Sequence, residues 1–145
     1  MNVEFRLAEI SDIRNVIKLT NECFEEKNCY KYAENIFKKT KHDKNQIYLI
    51  GTINGNIVAH AKITIIPTIY KNMNTYAIIN HVCVKPNLRR HNLGTKLLDE
   101  ITKICKERNC QSIKLWSSNF RVAAHACYNN YGFNVLDAKF FYKDI

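Results

Sequence analysis

The run from Cys83 to Asp99, CVKPNLRRHNLGTKLLD, constrains this chain more than any other stretch. It reads as the end of a β-branched strand, a Pro-Asn break, two arginines, a turn and then an amphipathic helix. A helix that starts on such a turn leaves its first N–H groups without intrahelical acceptors, and its dipole puts partial positive charge behind them. That arrangement holds a phosphate-sized anion with little help from side chains. Gly94 falls where the helix starts, takes positive φ freely and lets a backbone approach a ligand with no Cβ in the way. Asn92 is the residue next best suited to left-handed geometry, so it is expected to hold the other special position. Arg89 and Arg90 add cationic charge beside the turn.

The elements around this segment are set by periodicity. Val3 to Leu7 alternates as a half-buried strand does. Ser11 is expected to cap a helix in which Ile13, Val16, Ile17, Thr20, Cys23 and Phe24 recur at spacings of three and four. A second helix is expected over roughly Tyr30 to Lys41, with Tyr32, Ala33, Ile36 and Phe37 inward. Gln46 to Ile53 is β-rich, Asn54-Gly55 is a strong hairpin signal, and Asn56 to Ile66 returns antiparallel. Pro67 ends that strand, and Tyr76 to Val84 is the next. The helix after the anion turn gathers Leu97, Leu98, Ile101, Ile104 and Cys105 on one face. Ser112 to Trp116 reads as a strand, Val122 to Tyr131 as a helix ended by Gly132, and Phe133 to Tyr142 as a final strand. With 145 residues and 46% hydrophobic composition, the chain is expected to form one soluble domain over 1–145.

A net charge of +9 invites a nucleic-acid reading. The lysines are dispersed, however, and no stacking-aromatic motif or basic recognition helix accompanies them, so no specific nucleic-acid partner is expected. Six cysteines show no Cys-x-x-Cys pair. Most sit at apolar positions, as expected of reduced thiols in a cytoplasmic protein. Cys105 and Cys110 lack the histidine or carboxylate spacing of a zinc site, and no metal is expected. No run has the length of a signal peptide core or a membrane span, so no membrane partner is expected either.

The lead-in strands, the strand ending Val82-Cys83-Val84, the Arg-rich turn Arg89-Arg90-His91-Asn92-Leu93-Gly94 and the closing HACYNNYGF together resemble the GNAT superfamily of acyl-coenzyme A N-acyltransferases. RVAAHACYNNYGF, with Arg121, Ala124, His125 and Tyr128 on pattern positions, is similar to small-amine acetyltransferases, including the aminoalkylphosphonate group. The resemblance implies an α/β GNAT fold: one mixed, mostly antiparallel sheet of about six to seven strands, flanked by about four helices and splayed between the fourth and fifth strands. It implies acetyl-coenzyme A (acetyl-CoA) as acetyl donor, a small-molecule primary amine as acceptor, and a possible homodimer. A peptide amine acceptor, or a non-catalytic acyl-CoA-binding module, are the alternatives. By the same resemblance, Arg89, Arg90, His91, Asn92, Leu93, Gly94 and Thr95 hold the pyrophosphate. The Val82, Cys83 and Val84 backbone pairs with the pantetheine arm as an added strand would, and Asn119 is a further cofactor contact.

Tyr128 lies on the family's acid position. A phenol of pKa about 10 protonates a thiolate of pKa about 8.5 only uphill, by roughly 2 kcal/mol, so a hydrogen bond that stabilises the leaving thiolate matters as much as proton transfer. The base is the difficulty, because Asn80 stands where many relatives carry Glu, and an amide accepts no proton at neutral pH. Asn80 is expected to anchor a proton-carrying water instead. His81 is a tempting substitute, but strand alternation puts Asn80 and His81 on opposite faces. His60, on a polar strand face, and His125, one helical turn before Tyr128, are the remaining histidine candidates.

Overall fold

Register in this sheet is set at the Asn54-Gly55 turn. Both residues have positive φ, 50° and 79°, as the tight hairpin turn demands. The computed structural model describes residues 2–89 and 91–145. Its elements, in chain order, are β1 (Glu4–Leu7), α1 (Ile13–Phe24), α2 (Tyr30–Thr40), β2 (Gln46–Ile53), β3 (Asn56–Ile66), β4 (Tyr76–Val84), α3 (Leu93–Glu107), β5 (Ser112–Lys114) and α4 (Val122–Tyr131). Short 3-10 turns cover Ile10–Asp12 and Pro86–Leu88. The five strands form one mixed sheet in sequence order, with β1 to β4 antiparallel and β5 parallel to β4. Gly51 pairs with Phe5, and a Cβ there would stand 2.9 Å from the Phe5 ring, so β1 docks on β2 only because that position lacks a side chain.

The alternation of β3 divides two cores. Ala59, Ala61, Ile63 and Ile65, with Leu49, Ala77 and Ile79, pack against Leu97, Leu98, Ile101 and Cys105 of α3. Val58 and His60, which alternate with them, are buried on the opposite side, where α1 contributes Ile13, Val16 and Leu19. Each large aliphatic side chain so buried contributes about 1.5–3 kcal/mol of transfer free energy.

Four expectations are corrected. Among the described residues the sheet has five strands rather than six to seven. Phe133 to Tyr142 forms no strand, and Phe140, Phe141 and Tyr142 are exposed. The polar break Asp137-Ala138-Lys139 interrupts the alternation there, and β5, which stops at Lys114 rather than Trp116, offers only three residues to pair with. Ser11 does not cap α1; Asp12 holds the N-cap position with no side-chain cap bond to the helix, its carboxylate instead accepting from the Glu9 N–H of the preceding turn at 2.8 Å while Arg6 grips it at 2.7 and 2.9 Å. Tyr32 of α2 points to solvent, and Phe37 alone of its expected inner face is buried. All six cysteines are free.

Candidate active site

β4 pairs with β5 only at Tyr76, Ala77 and Ile78, so beyond Ile78 it has β3 on one side and, among the described residues, no strand on the other. The first part of that open stretch, Ile79 to Val82, borders a cleft of about 800 Å³ between the end of α1 and the β5–α4 connection. Asn80, His81, Val82, Arg89, Arg121 and Tyr128 line it, with Glu22, Glu25 and Glu26 from α1 and its cap along one wall. A second cavity, of about 1170 Å³, lies away from this edge, between Arg6–Ile10, the start of β2 and α3. It contains none of the expected site residues.

Inside β4 the pairing skips. Cys83 faces His60 and Asn80 faces Lys62, so His81 and Val82 together oppose the single Ala61. This is a β-bulge, and His81 takes left-handed backbone at φ 50° to form it. The bulge overturns the alternation argument, because Asn80 and His81 line the same cleft. It also reverses the strand's facing downstream: Val82 and Val84 pack toward the α3 core, while Cys83 is buried on the α1 side.

Cys83 contacts the Cys23 thiol of α1, which in turn donates to the Val84 carbonyl at 3.5 Å. That partner and the nearby Arg89 guanidinium bring Cys23 down to about 7, while the same contact and burial push Cys83 well up.

The anion turn has the form its residues imply. After the Pro86–Leu88 turn the chain reaches Asn92, left-handed at φ 59° and ψ 16°, and α3 starts at Leu93. The Lys96 N–H donates to the Asn92 carbonyl at 3.0 Å, and the Asn92 side chain caps nothing. The first-turn N–H groups of Leu93, Gly94 and Thr95 therefore lie at the open start of the helix. Gly94 is helical rather than left-handed; a Cβ on it would meet the Cys127 Sγ of α4 at 3.5 Å. Its expected positive φ is thus corrected, and the space a Cβ would take is bounded by Cys127 at ordinary contact distance. Arg90 lies outside the described residues.

Tyr128 is half-buried on α4 against Phe133, ring centroids 5.6 Å apart. Burial raises its pKa, opposed by the Arg121 guanidinium, so its hydroxyl stays a proton donor at neutral pH. Asn119 sits in the exposed turn before α4, flanked by the cleft residues Ser118 and Phe120, and is not itself in the lining. His125 is half-buried on α4 outside the lining. His60 is away from the cleft: it is buried, its Nδ1 donates to the Leu49 carbonyl at 2.8 Å, and burial lowers its pKa to about 4. The residue that sequence reasoning missed is Glu26, whose carboxylate meets His81 Nε2 at 3.1 Å. No signal in the sequence joins two positions that far apart.

An edge strand left open beside an uncapped helix start matches what a pantetheine diphosphate requires. The Acetyltransferase (GNAT) family profile matches residues 13–133. The chain belongs to the GNAT acetyltransferase family. It is accordingly an acyltransferase that uses acetyl-CoA.

Solved structures agree in fold. A predicted acetyltransferase from Clostridium acetobutylicum, crystallised with acetyl-CoA, is 23% identical with a TM-score of 0.80, over 98% of this chain and 96% of that one. Glucosamine-6-phosphate N-acetyltransferase from Arabidopsis thaliana is 20% identical, TM-score 0.82, over 99% of both chains. Ribosomal-protein-alanine N-acetyltransferase from Brucella melitensis is 15% identical, TM-score 0.82, over 99% of this chain and 100% of that one. No curated protein sequence matches the chain. Among the described residues, no helix is long and apolar enough to cross a membrane.

Proposed function

We propose that this GNAT enzyme moves an acetyl group from acetyl-CoA directly to the primary amine of a small molecule. The observation that carries the acceptor class is the cleft. At about 800 Å³, walled by the end of α1 and the β5–α4 connection, it has the size of a small-molecule site. The structural neighbours include both a sugar-phosphate and a protein acetyltransferase by name, so the choice rests on this shape.

In this reading acetyl-CoA supplies an activated thioester carbonyl, and the chain's residues do the rest. The open β4 edge at Val82, Cys83 and Val84 aligns the pantetheine arm, with a backbone N–H near Val82 positioned to polarise the carbonyl. The amides of His91, Asn92, Leu93, Gly94 and Thr95, with the Thr95 hydroxyl and the Arg89 and Arg90 side chains, hold the pyrophosphate. Asn119 closes over the cofactor from the turn before α4. Tyr128 hydrogen-bonds the departing thiolate and hands it a proton. Asn80 anchors a water. The exposed Phe140, Phe141 and Tyr142, of which Phe140 stacks on Trp116 just past β5, support a homodimer.

Two measurements test this. Acetyl-CoA is expected to raise the melting temperature, and the absence of a shift at millimolar cofactor would overturn the binding site. Thiol release is then measured with putrescine, glucosamine, 2-aminoethylphosphonate, glycine and a lysine peptide. Release with the peptide alone would replace the small-molecule reading by a peptide one. Binding with no release from any amine would make the chain an acyl-CoA-binding module.

A further inference from the structure

The bulge in β4 holds a non-glycine residue in left-handed backbone, a strained conformation that persists only where the surroundings over-determine it. His81 is over-determined from two sides. The Phe24 ring meets the imidazole edge-on, centroids 5.0 Å apart and planes at 68°. Glu26 receives Nε2 at 3.1 Å through Oε1 and at 3.4 Å through Oε2.

Glu26 is itself held in place. Glu25 ends α1 in left-handed geometry at φ 53°, which turns the chain so that the Glu26 N–H returns to the Asn21 carbonyl at 3.1 Å. Asn28 Nδ2 donates to Glu26 Oε1 at 3.3 Å, and Asn28 is pinned by Asn21 Oδ1 through its own N–H at 2.9 Å. One helix end therefore supplies both the ring that packs the imidazole and the carboxylate that bonds it.

This bond decides the tautomer. A carboxylate only accepts, so Nε2 carries a hydrogen, and in the neutral imidazole the lone pair is then on Nδ1. Among the described residues Nδ1 has no protein partner. A base oriented by an acceptor behind it, in a cleft that also holds a proton donor, has the logic of an acid–base pair. The donor here is Tyr128, and Asn80 lies alongside on β4.

We propose that His81, oriented by Glu26, removes the proton from the incoming ammonium group. The base of this chain thus sits one residue beyond the position that Asn80 fills, and the inference rests on the acetyl-transfer reading above. One N–H proton of the ammonium passes to His81 Nδ1, giving an imidazolium whose charge Glu26 offsets, and later passes from His81 to water. The freed nitrogen pair forms the C–N bond, and the C–S bond breaks with its electron pair on sulfur. Tyr128 gives its proton to that sulfur and regains one from the acylated nitrogen. The products are the amide, the free thiol of CoA and one proton. Glu26 touches no reacting atom in this sequence and is a positioning residue.

The charged and titratable groups facing the pair are Glu22, Glu25 and Cys23 from α1 and its cap, Arg89 from the turn after β4, and Arg121 and Tyr128 from α4 and its approach. His60 lies behind it on β3 and is buried. The acidic wall also favours an acceptor that arrives as a cation.

The deciding experiment compares wild type, His81→Asn and Glu26→Gln across pH 6 to 10, using whichever of putrescine, glucosamine, 2-aminoethylphosphonate, glycine or the lysine peptide wild type acetylates. Asn accepts left-handed backbone, so His81→Asn removes the imidazole and keeps the bulge. At pH 7, kcat/KM is expected to fall about 100-fold for His81→Asn. The deficit should close toward pH 10, where the amine loses its proton unaided. Glu26→Gln should show a smaller deficit that closes the same way, while both variants keep the melting shift given by acetyl-CoA. A deficit constant with pH, or no deficit in either variant, would overturn the assignment and leave the acetyl-transfer reading standing. Wild type that binds acetyl-CoA but acetylates none of these amines would overturn that reading, and this one with it.

Discussion

Acid should unfold this protein through one buried histidine. His60 lies on β3 with its ring in the core on the α1 side and its Nδ1 hydrogen on the Leu49 carbonyl. Burial is the largest cause of its lowered pKa, which stands at about 4 against an ordinary 6.5; His81 and the positive charge of Lys62 act the same way, and the Leu49 carbonyl opposes them. A histidine held neutral in the fold binds its proton more readily once unfolded. Its contribution is therefore complete above about pH 6.5 and is lost as pH falls from there toward 4. At about 1.4 kcal/mol for each pH unit between the two values, the full effect is about 3.5 kcal/mol. Between pH 7 and pH 5 it is about 2 kcal/mol, which for a chain of this size lowers Tm by roughly 6 °C. The assay is urea unfolding at pH 7, 6 and 5 for wild type and for His60→Gln, which keeps a donor for Leu49 but does not titrate. The variant starts less stable at pH 7 and should lose about 2 kcal/mol less than wild type by pH 5. Equal slopes in the two proteins would refute the argument, as would an NMR titration placing the His60 midpoint above pH 6.

Three further outcomes are expected. Tyr128→Phe should lower kcat at least tenfold while leaving the acetyl-CoA melting shift in place; unchanged turnover would remove Tyr128 from the chemistry. Asn92→Gly should keep acetyl-CoA binding, whereas Asn92→Val, forced into left-handed backbone, should destabilise by about 1–2 kcal/mol and weaken binding, both read from melting curves with and without cofactor. Asp12→Asn should cost about 1–2 kcal/mol at pH 7, because it breaks the paired bonds to Arg6. Arg6 holds the Asp12 carboxylate below its ordinary range, so that stability is present above about pH 4 and lost below it. Wild type and variant should therefore converge in acid, and a gap persisting at pH 2 would count against the ion pair.

Local signals in the sequence carried most of the fold. The Asn54-Gly55 turn, the apolar face of α3 and the left-handed Asn92 each depend on residues within a few positions of one another, where turn chemistry and periodicity decide. Three things escaped. The bulge at His81 carries no glycine to mark it, and a period-two reading that passes over one inserted residue assigns the wrong face to the remainder of the strand. Glu26 and His81 meet only because α1 packs beside β4, a contact 55 residues apart that no pattern in one sequence announces. The run from Phe133 to Tyr142 has strand composition, but a three-residue β5 gives it almost no ladder to join.

The bulge also gives β4 a change of parity. Before it, Ala77 and Ile79 serve the α3 core as an ordinary interior strand does; after it, Val82 and Val84 take over that duty from the other parity class. Deleting His81 would therefore do more than remove an imidazole. It would leave Val82 alone opposite Ala61 and close the ladder, with Val82 and Val84 still toward α3 and Cys83 still toward α1. Removing a regularly paired residue such as Ile78 would instead turn the residues after it to the wrong face, so β4 should tolerate loss of a residue at the bulge far better than anywhere else along its length.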